Sequence, residues 1–421
     1  MKYFQSASIV AVLLSFMLIQ GCGKKKEEAP PAHPIGAGAT LYLSQAQFVQ
    51  EKGDDGKMHS VPGPARLEIW THSGSGWDKE LIEDPESNVF HKAAWFTPVE
   101  GEPGILTIGA TQAFLKIWRK KGDGWEAESL WNPTFGGKFD RLRDFEIADV
   151  TGDGAEDILI ATHDQGVIAV AVWKDGAYHP EELLRKENTF VHEIEVGDVD
   201  GDGIIEFFTT PSKPNKLDGT VQPGEIDMFK FKDGEWIHRP VDMLETRHAK
   251  EILCVTLFAG DRPVLFSSLE GEGIGGHDAG DSTKIRMYHF EGEDITHTDV
   301  ASLPGQLCRF LTHGDTDGDG VKELIASTKS DGIWKLTPPA GDEGGWKKQL
   351  IVTGTSGFEH ATFLYDFSGD GRDELYVASD DQEELRRYWY NGKGYSKEVL
   401  GTIQDRSITF NVTAHQFEVA H

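Results

Sequence analysis

Sulfur is scarce in this chain, whose 421 residues hold 3 cysteines and 6 methionines. So few cysteines exclude a disulfide-built scaffold and the Cys-x-x-Cys pairs of redox and zinc sites. Cys254 and Cys308 lie in apolar, strand-like runs (Ile252 to Leu257 and Leu307 to Leu311), where a thiol behaves as a small hydrophobe. An oxidising compartment would allow a bridge between them. Positive charge is short as well. Lys and Arg number 41 against 70 Asp and Glu, a formal charge of −29. That balance excludes nucleic acid and anionic membrane surfaces as bulk partners. Familiar catalytic signatures are missing: there is no Gly-x-Ser-x-Gly elbow, Walker loop or His-Glu-x-x-His. Beyond the first twenty or so residues no run is apolar enough to cross a bilayer. What is present is a 38% apolar fraction with 48 Gly and 18 Pro, enough for a substantial core divided by many turns.

The N-terminus reads as an export signal. Lys2 precedes an apolar run from Ile9 to Ile19, of signal length and too short to span. It ends in Leu18-Ile19-Gln20-Gly21-Cys22, which resembles the lipobox of bacterial lipoproteins. The resemblance implies that residues 1–21 are removed and that Cys22 is lipidated, tying the protein to a membrane. Gly23 stands where an Asp would favour inner-membrane retention. The expected location is therefore extracytoplasmic, at the outer membrane if the cell is Gram-negative. Residues 22–35 form a charged, Pro-rich tether that cannot bury a core, leaving residues 36–421 as the folded domain, expected to be a monomer.

Four segments in that domain share one pattern. They are Asp149 to Asp157, Asp198 to Glu206, Asp315 to Glu323 and Asp366 to Glu374. Oxygen-bearing side chains fall at positions 1, 3, 5 and 9: Asp149, Thr151, Asp153 and Asp157; Asp198, Asp200, Asp202 and Glu206; Asp315, Asp317, Asp319 and Glu323; Asp366, Ser368, Asp370 and Glu374. Gly occupies positions 4 and 6. A hard cation needs converging oxygens and a tightly turning backbone, so calcium is the expected ligand, structural and in up to four sites. Unlike an EF-hand, each loop closes at its ninth residue and runs into a strand.

The loops begin at residues 149, 198, 315 and 366, so the middle step holds two units. Aligning Leu265 with Leu375 recovers the missing unit, with Gly260-Asp261-Arg262-Pro263 in place of the acids; aligning Leu106 recovers an earlier one. Each unit continues with an aromatic-rich strand, a Gly turn and a final strand. About 50 residues with four strands is the size of a propeller blade. The repeats resemble FG-GAP/VCBS β-propellers over roughly residues 36–421. The resemblance implies an all-β propeller with EF-hand-like calcium loops bracing the blades, and by itself no activity. Six units are complete. Ser407 to Val412 matches a lone first strand, and Thr40 to Leu43, Arg66 to Trp70 and Trp77 to Ile82 match the remaining three. A seventh blade shared between the chain ends closes the ring without an open edge; six blades with loose ends is the alternative.

Six residues before each loop, or before its decayed counterpart, stand His91, Arg143, His192, Lys250, Arg309 and His360. All are basic in an acidic protein. The first strand of a blade is innermost, so these side chains are expected to ring a water-filled channel on the face opposite the acidic loops. Asp144, Glu193, Glu251 and Glu359 are near enough in sequence to neutralise them. Insertions at Ser44 to Ala65, Thr209 to Glu225 and Ser268 to Lys284, carrying Lys213, Asn215, Lys216, His277 and Asp278, fall on the same face and read as long loops. Two functions follow. The propeller binds an anionic glycan or a partner protein at the axial mouth. Alternatively it is a carbon-oxygen lyase or dehydratase on an acidic or oxidised sugar, with Arg143, Arg309 and Lys250 binding the anion and one of His91, His192 or His360 as base. Three histidines could also hold a metal, though no local ligand spacing supports it.

Overall fold

The structure is a computed structural model, and it describes residues 33–418 except 138, 215, 217, 275–281, 330 and 342–343. The leader, Cys22 and most of the tether lie outside the described residues, as do Asn215, His277 and Asp278. Among the described residues no helix is long and apolar enough to cross a membrane.

Every sheet has the same antiparallel order, first strand to fourth, and there are seven. Six are continuous in sequence, at residues 90–131, 142–185, 190–244, 249–303, 308–352 and 362–402. The seventh pairs the C-terminal strand Ser407–Gln416 with Ala39–Lys52, which continues to Ala65–His72 and Trp77–Asp84. The molecule is a seven-bladed β-propeller closed by a blade built from both chain ends. The six-blade alternative is set aside by the pairing of Leu43 with Val412.

Burial explains why these strings of residues become these strands. A blade is covered by neighbours on both faces, so its inner strands must be apolar on both sides, and Asp157–Thr162 and Glu374–Ser379 are buried throughout. Outer strands meet water and alternate, as in Ala177–Arg185. The core consequently lies between adjacent sheets: Phe96 and Leu106 of one blade pack with Phe145 and Ile160 of the next, and Phe208 with Leu265 and Tyr288. Asp-Gly pairs make the outer hairpins, with both residues left-handed at Asp175-Gly176 and Asp233-Gly234.

One expectation changes, and the cysteines agree with theirs. Ser44 to Ala65 is a hairpin, because Ala39–Lys52 runs on past the blade and pairs with Met58–Pro62. The alternating polar residues of this stretch hide a ladder that needs no buried face. Cys254 and Cys308 are free thiols, one beneath Gly197 and the other in the core.

Candidate functional site

The inner strands Phe90–Phe96, Leu142–Ala148, Phe190–Gly197, Ala249–Val255 and Cys308–Gly314 each begin with one of the basic residues singled out above. A cavity of about 350 Å³ at this end of the axis is lined by His91, Arg143, His192, Lys250 and Arg309. His360 is not part of it. Its Nδ1 lies 2.7 Å from the Thr328 carbonyl and its Nε2 3.0 Å from Thr355 Oγ1, which makes it a clamp between two blades. Its left-handed backbone, with φ of 58°, turns it out of the ring.

The ring is not solvated as the sequence suggested. All six residues are between 0% and 4% exposed. Arg309 donates to Glu270 Oε1 at 3.1 Å and Glu359 Oε1 at 2.9 Å. Lys250 Nζ lies 3.4 Å from Glu359, 3.7 Å from Glu193 and 3.8 Å from Glu251, and Arg143 lies 3.4 Å from Glu193. Burying charges at an axis demands such partners. Most of these acids stand behind the cations, however. Of the charged side chains on the cavity wall, four are cations (Arg141, Arg143, Lys250 and Arg309) and only Glu359 is an acid. Burial raises the Glu359 carboxyl, but Lys250, Arg309 and Arg143 outweigh it and bring it to about 2.

Sequence reasoning missed Arg141, His163 and the apolar wall. Arg141 is held by Asp164 through two contacts of 2.6 Å. His163 follows the second strand of its blade, the place taken by Glu270 two blades on, so the same end of the second strand was the available signal. Phe48 and Pro62 come from the Ser44 to Ala65 hairpin, and Phe358 and Phe410 from loop and closing strand. Phe358 covers the Arg309 guanidinium at 4.4 Å.

The histidines form a contiguous row. His163 packs against His91 at 5.9 Å and His192 at 5.2 Å, and His192 stacks on His248 at 5.4 Å. Burial first, and then the cations Arg143 and Lys250, hold His91, His163 and His192 well below the ordinary imidazole range, so they are neutral near pH 7. His91 Nδ1 donates to the Leu142 carbonyl at 2.6 Å, whereas neither ring nitrogen of His163 or His192 has a partner. Lys250 Nζ also lacks a hydrogen bond. Buried polar atoms are normally satisfied, so these nitrogens leave unused hydrogen-bonding capacity on one cavity wall.

The acidic loops sit at the other ends of these strands. In all four, the first Asp accepts from the amides of both glycines, at 2.7–2.8 Å to the fourth residue and 2.8–3.0 Å to the sixth. Those glycines have φ between 70° and 90°, which a side chain would strain. Asp198, Asp200, Asp202 and Glu206 bring carboxylate oxygens within 4.8 Å of one another, as do Asp315, Asp317 and Glu323; among the described residues no other group of three does so.

Residues 149–209 match the FG-GAP-like repeat. This stretch holds the acidic loops at Asp149 and Asp198, the last three strands of one blade and the first strand of the next. No curated protein matches the chain. Among solved structures, it is similar to a lectin of Agrocybe aegerita that recognises non-reducing terminal N-acetylglucosamine, at 11% identity over 90% of this chain and 95% of that one, with a TM-score of 0.51. A functionally unknown protein from Desulfotomaculum acetoxidans aligns at 10% identity over 90% and 99%, with a TM-score of 0.51. Identities this low show a common fold.

Proposed function

We propose that this propeller is a lipid-anchored, extracytoplasmic binding module that holds a small anionic ligand, of the size of an acidic monosaccharide or a glycan end, in its axial pocket. The observation that carries the reading is the wall itself: four cations, one acid, and orphaned nitrogens on Lys250, His163 and His192. An anion would accept from Lys250 and Arg143, while ring hydroxyls would satisfy the imidazoles and the sugar face would lie against Phe358 or Phe410. The lipobox-like Leu18 to Cys22 supports the anchor, and the FG-GAP-like repeat with its gathered acids supports calcium in the loops, led by Asp149, Asp198, Asp315 and Asp366. Calcium there would brace blade edges, far from the pocket.

Titration calorimetry with uronic acids, sulfate, phosphate and neutral glucose tests this. The parent should bind an acidic member, salt should weaken it, and Arg143→Gln should lose roughly 10- to 150-fold, the equivalent of one charge-assisted hydrogen bond of ~1.5–3 kcal/mol. Equal affinity of parent and variant for every anion would remove the proposal. One observation favours a lyase as second reading: His163 and His192 are neutral with free nitrogens beside Arg143, as a general base requires. Release of unsaturated product by the parent, abolished in His192→Ala while binding persists, would establish it.

A further inference from the structure

The four acidic loops are alike in backbone and unlike in charge. The Asp198 and Asp315 loops have Asp at the third position (Asp200 and Asp317), where the others have Thr151 and Ser368. In those two loops a lysine enters the acid cluster from the third strand of the same blade. Lys230 Nζ lies 2.8 Å from Asp200 and 2.8 Å from Asp202 and also pairs with Glu206. Lys335 Nζ lies 2.8 Å from Asp317 and 2.6 Å from Glu323. The two lysines come from different registers. Lys230 is directly opposite Glu206, whereas Lys335 is opposite Ile325, two residues beyond Glu323. An ammonium group thus reaches the same spot by two routes, and each time the loop carries the extra carboxylate.

The ninth residue divides the loops differently, setting Asp157 apart from the other three. Glu206 and Glu323 hold lysines, and Glu374 lies 3.0 Å from His33 Nε2. Asp157 has no basic partner among the described residues. Its Oδ2 accepts from Thr151, and its Oδ1, in a fully buried residue, has no partner at all.

We propose that Lys230 and Lys335 are built-in counter-ions that brace the Asp198 and Asp315 loops without metal, so that calcium dependence is concentrated in the Asp149 loop. This rests on the reading that such loops take calcium. A divalent ion entering the Asp198 or Asp315 loop must expel an ammonium that already holds two or three carboxylates; in the Asp149 loop it meets an unpartnered oxygen.

Calorimetric calcium titration of the full chain, stripped with chelator, tests the division. The parent should show one site at least tenfold tighter than those of the lysine-bearing loops. Lys230→Gln or Lys335→Gln should each tighten one weak site at least tenfold, while Lys230→Arg, which keeps the charge, should not. Hydrogen exchange on the parent gives an answer that needs no variant. Removing calcium should expose the amides of residues 150–154 and leave 199–203 and 316–320 nearly unchanged. Four indistinguishable sites, or Gln variants that titrate like the parent, would overturn the inference while leaving calcium in the loops. No calcium binding by any form would instead overturn the calcium reading itself.

Discussion

Replacing Arg309 by Gln should be far more damaging than replacing Arg143, although both are buried axial arginines. Arg309 neutralises two carboxylates at 3.1 and 2.9 Å, and Glu359 is ionised because its carboxyl is brought from the usual 4.5 to about 2. Taking one member from a buried, hydrogen-bonded ion cluster costs roughly 3–5 kcal/mol. The linkage view agrees: a fall of that size in one buried carboxyl corresponds to about 3 kcal/mol shared among its cations. Because the folded pKa is depressed, this stability is present at neutral pH and disappears as pH falls from about 4 through 2. Arg143 makes one 3.4 Å contact with Glu193, a carboxyl that burial pushes well up and that can take a proton when the arginine leaves, so Arg143→Gln should cost about 1 kcal/mol. Urea unfolding at pH 7 in constant calcium, followed by tryptophan fluorescence, measures both. Equal midpoints for Arg309→Gln and the parent, or a larger loss for Arg143→Gln, would refute the reasoning.

Saturating calcium should raise the melting temperature, by the equivalent of ~2.7 kcal/mol for each site at a hundredfold excess over Kd, and coincident melts in calcium and EDTA would make the loops ordinary turns. Deleting residues from Ser407 onward removes the partner of Ala39–Lys52 and exposes a long sheet edge, so the truncation should aggregate; a soluble product with unchanged melting would contradict the shared blade. His192→Ala should weaken anion binding and also lower stability, because it removes a buried ring packed against His163 and His248; unchanged affinity by calorimetry, with no lyase activity in the parent, would place the ligand elsewhere. Cys22→Ser should move the protein from the membrane fraction to the soluble fraction, and continued sedimentation with membranes would argue against lipid at that residue.

Much of this architecture was legible because repetition amplifies weak signals. One Asp-x-x-Gly-Asp-Gly stretch is a turn; four at blade spacing define a register, and that register located both degenerate units and the seventh blade. The basic ring followed from the same register, and five of its six members do share a cavity. His360 escaped because strand arithmetic assumes extended backbone, whereas this residue is left-handed just before its strand begins. The burial of the ring was hidden for another reason. Asp144, Glu193 and Glu251 were visible as sequence neighbours, but Glu270 reaches Arg309 from a second strand 39 residues away, a relation only the closed propeller creates. Lys230 and Lys335 were unreadable in the same way, since they meet their loops across a sheet and at different registers.

The central claim, that the axial pocket takes an anion, is tested most directly by anomalous diffraction from a crystal grown with calcium and soaked in bromide. The strongest halide peak should lie in the axial cavity, within contact of Lys250 and Arg143 and beside His192. Bromide confined to the outer surface, with the axial cavity holding only water, would contradict it.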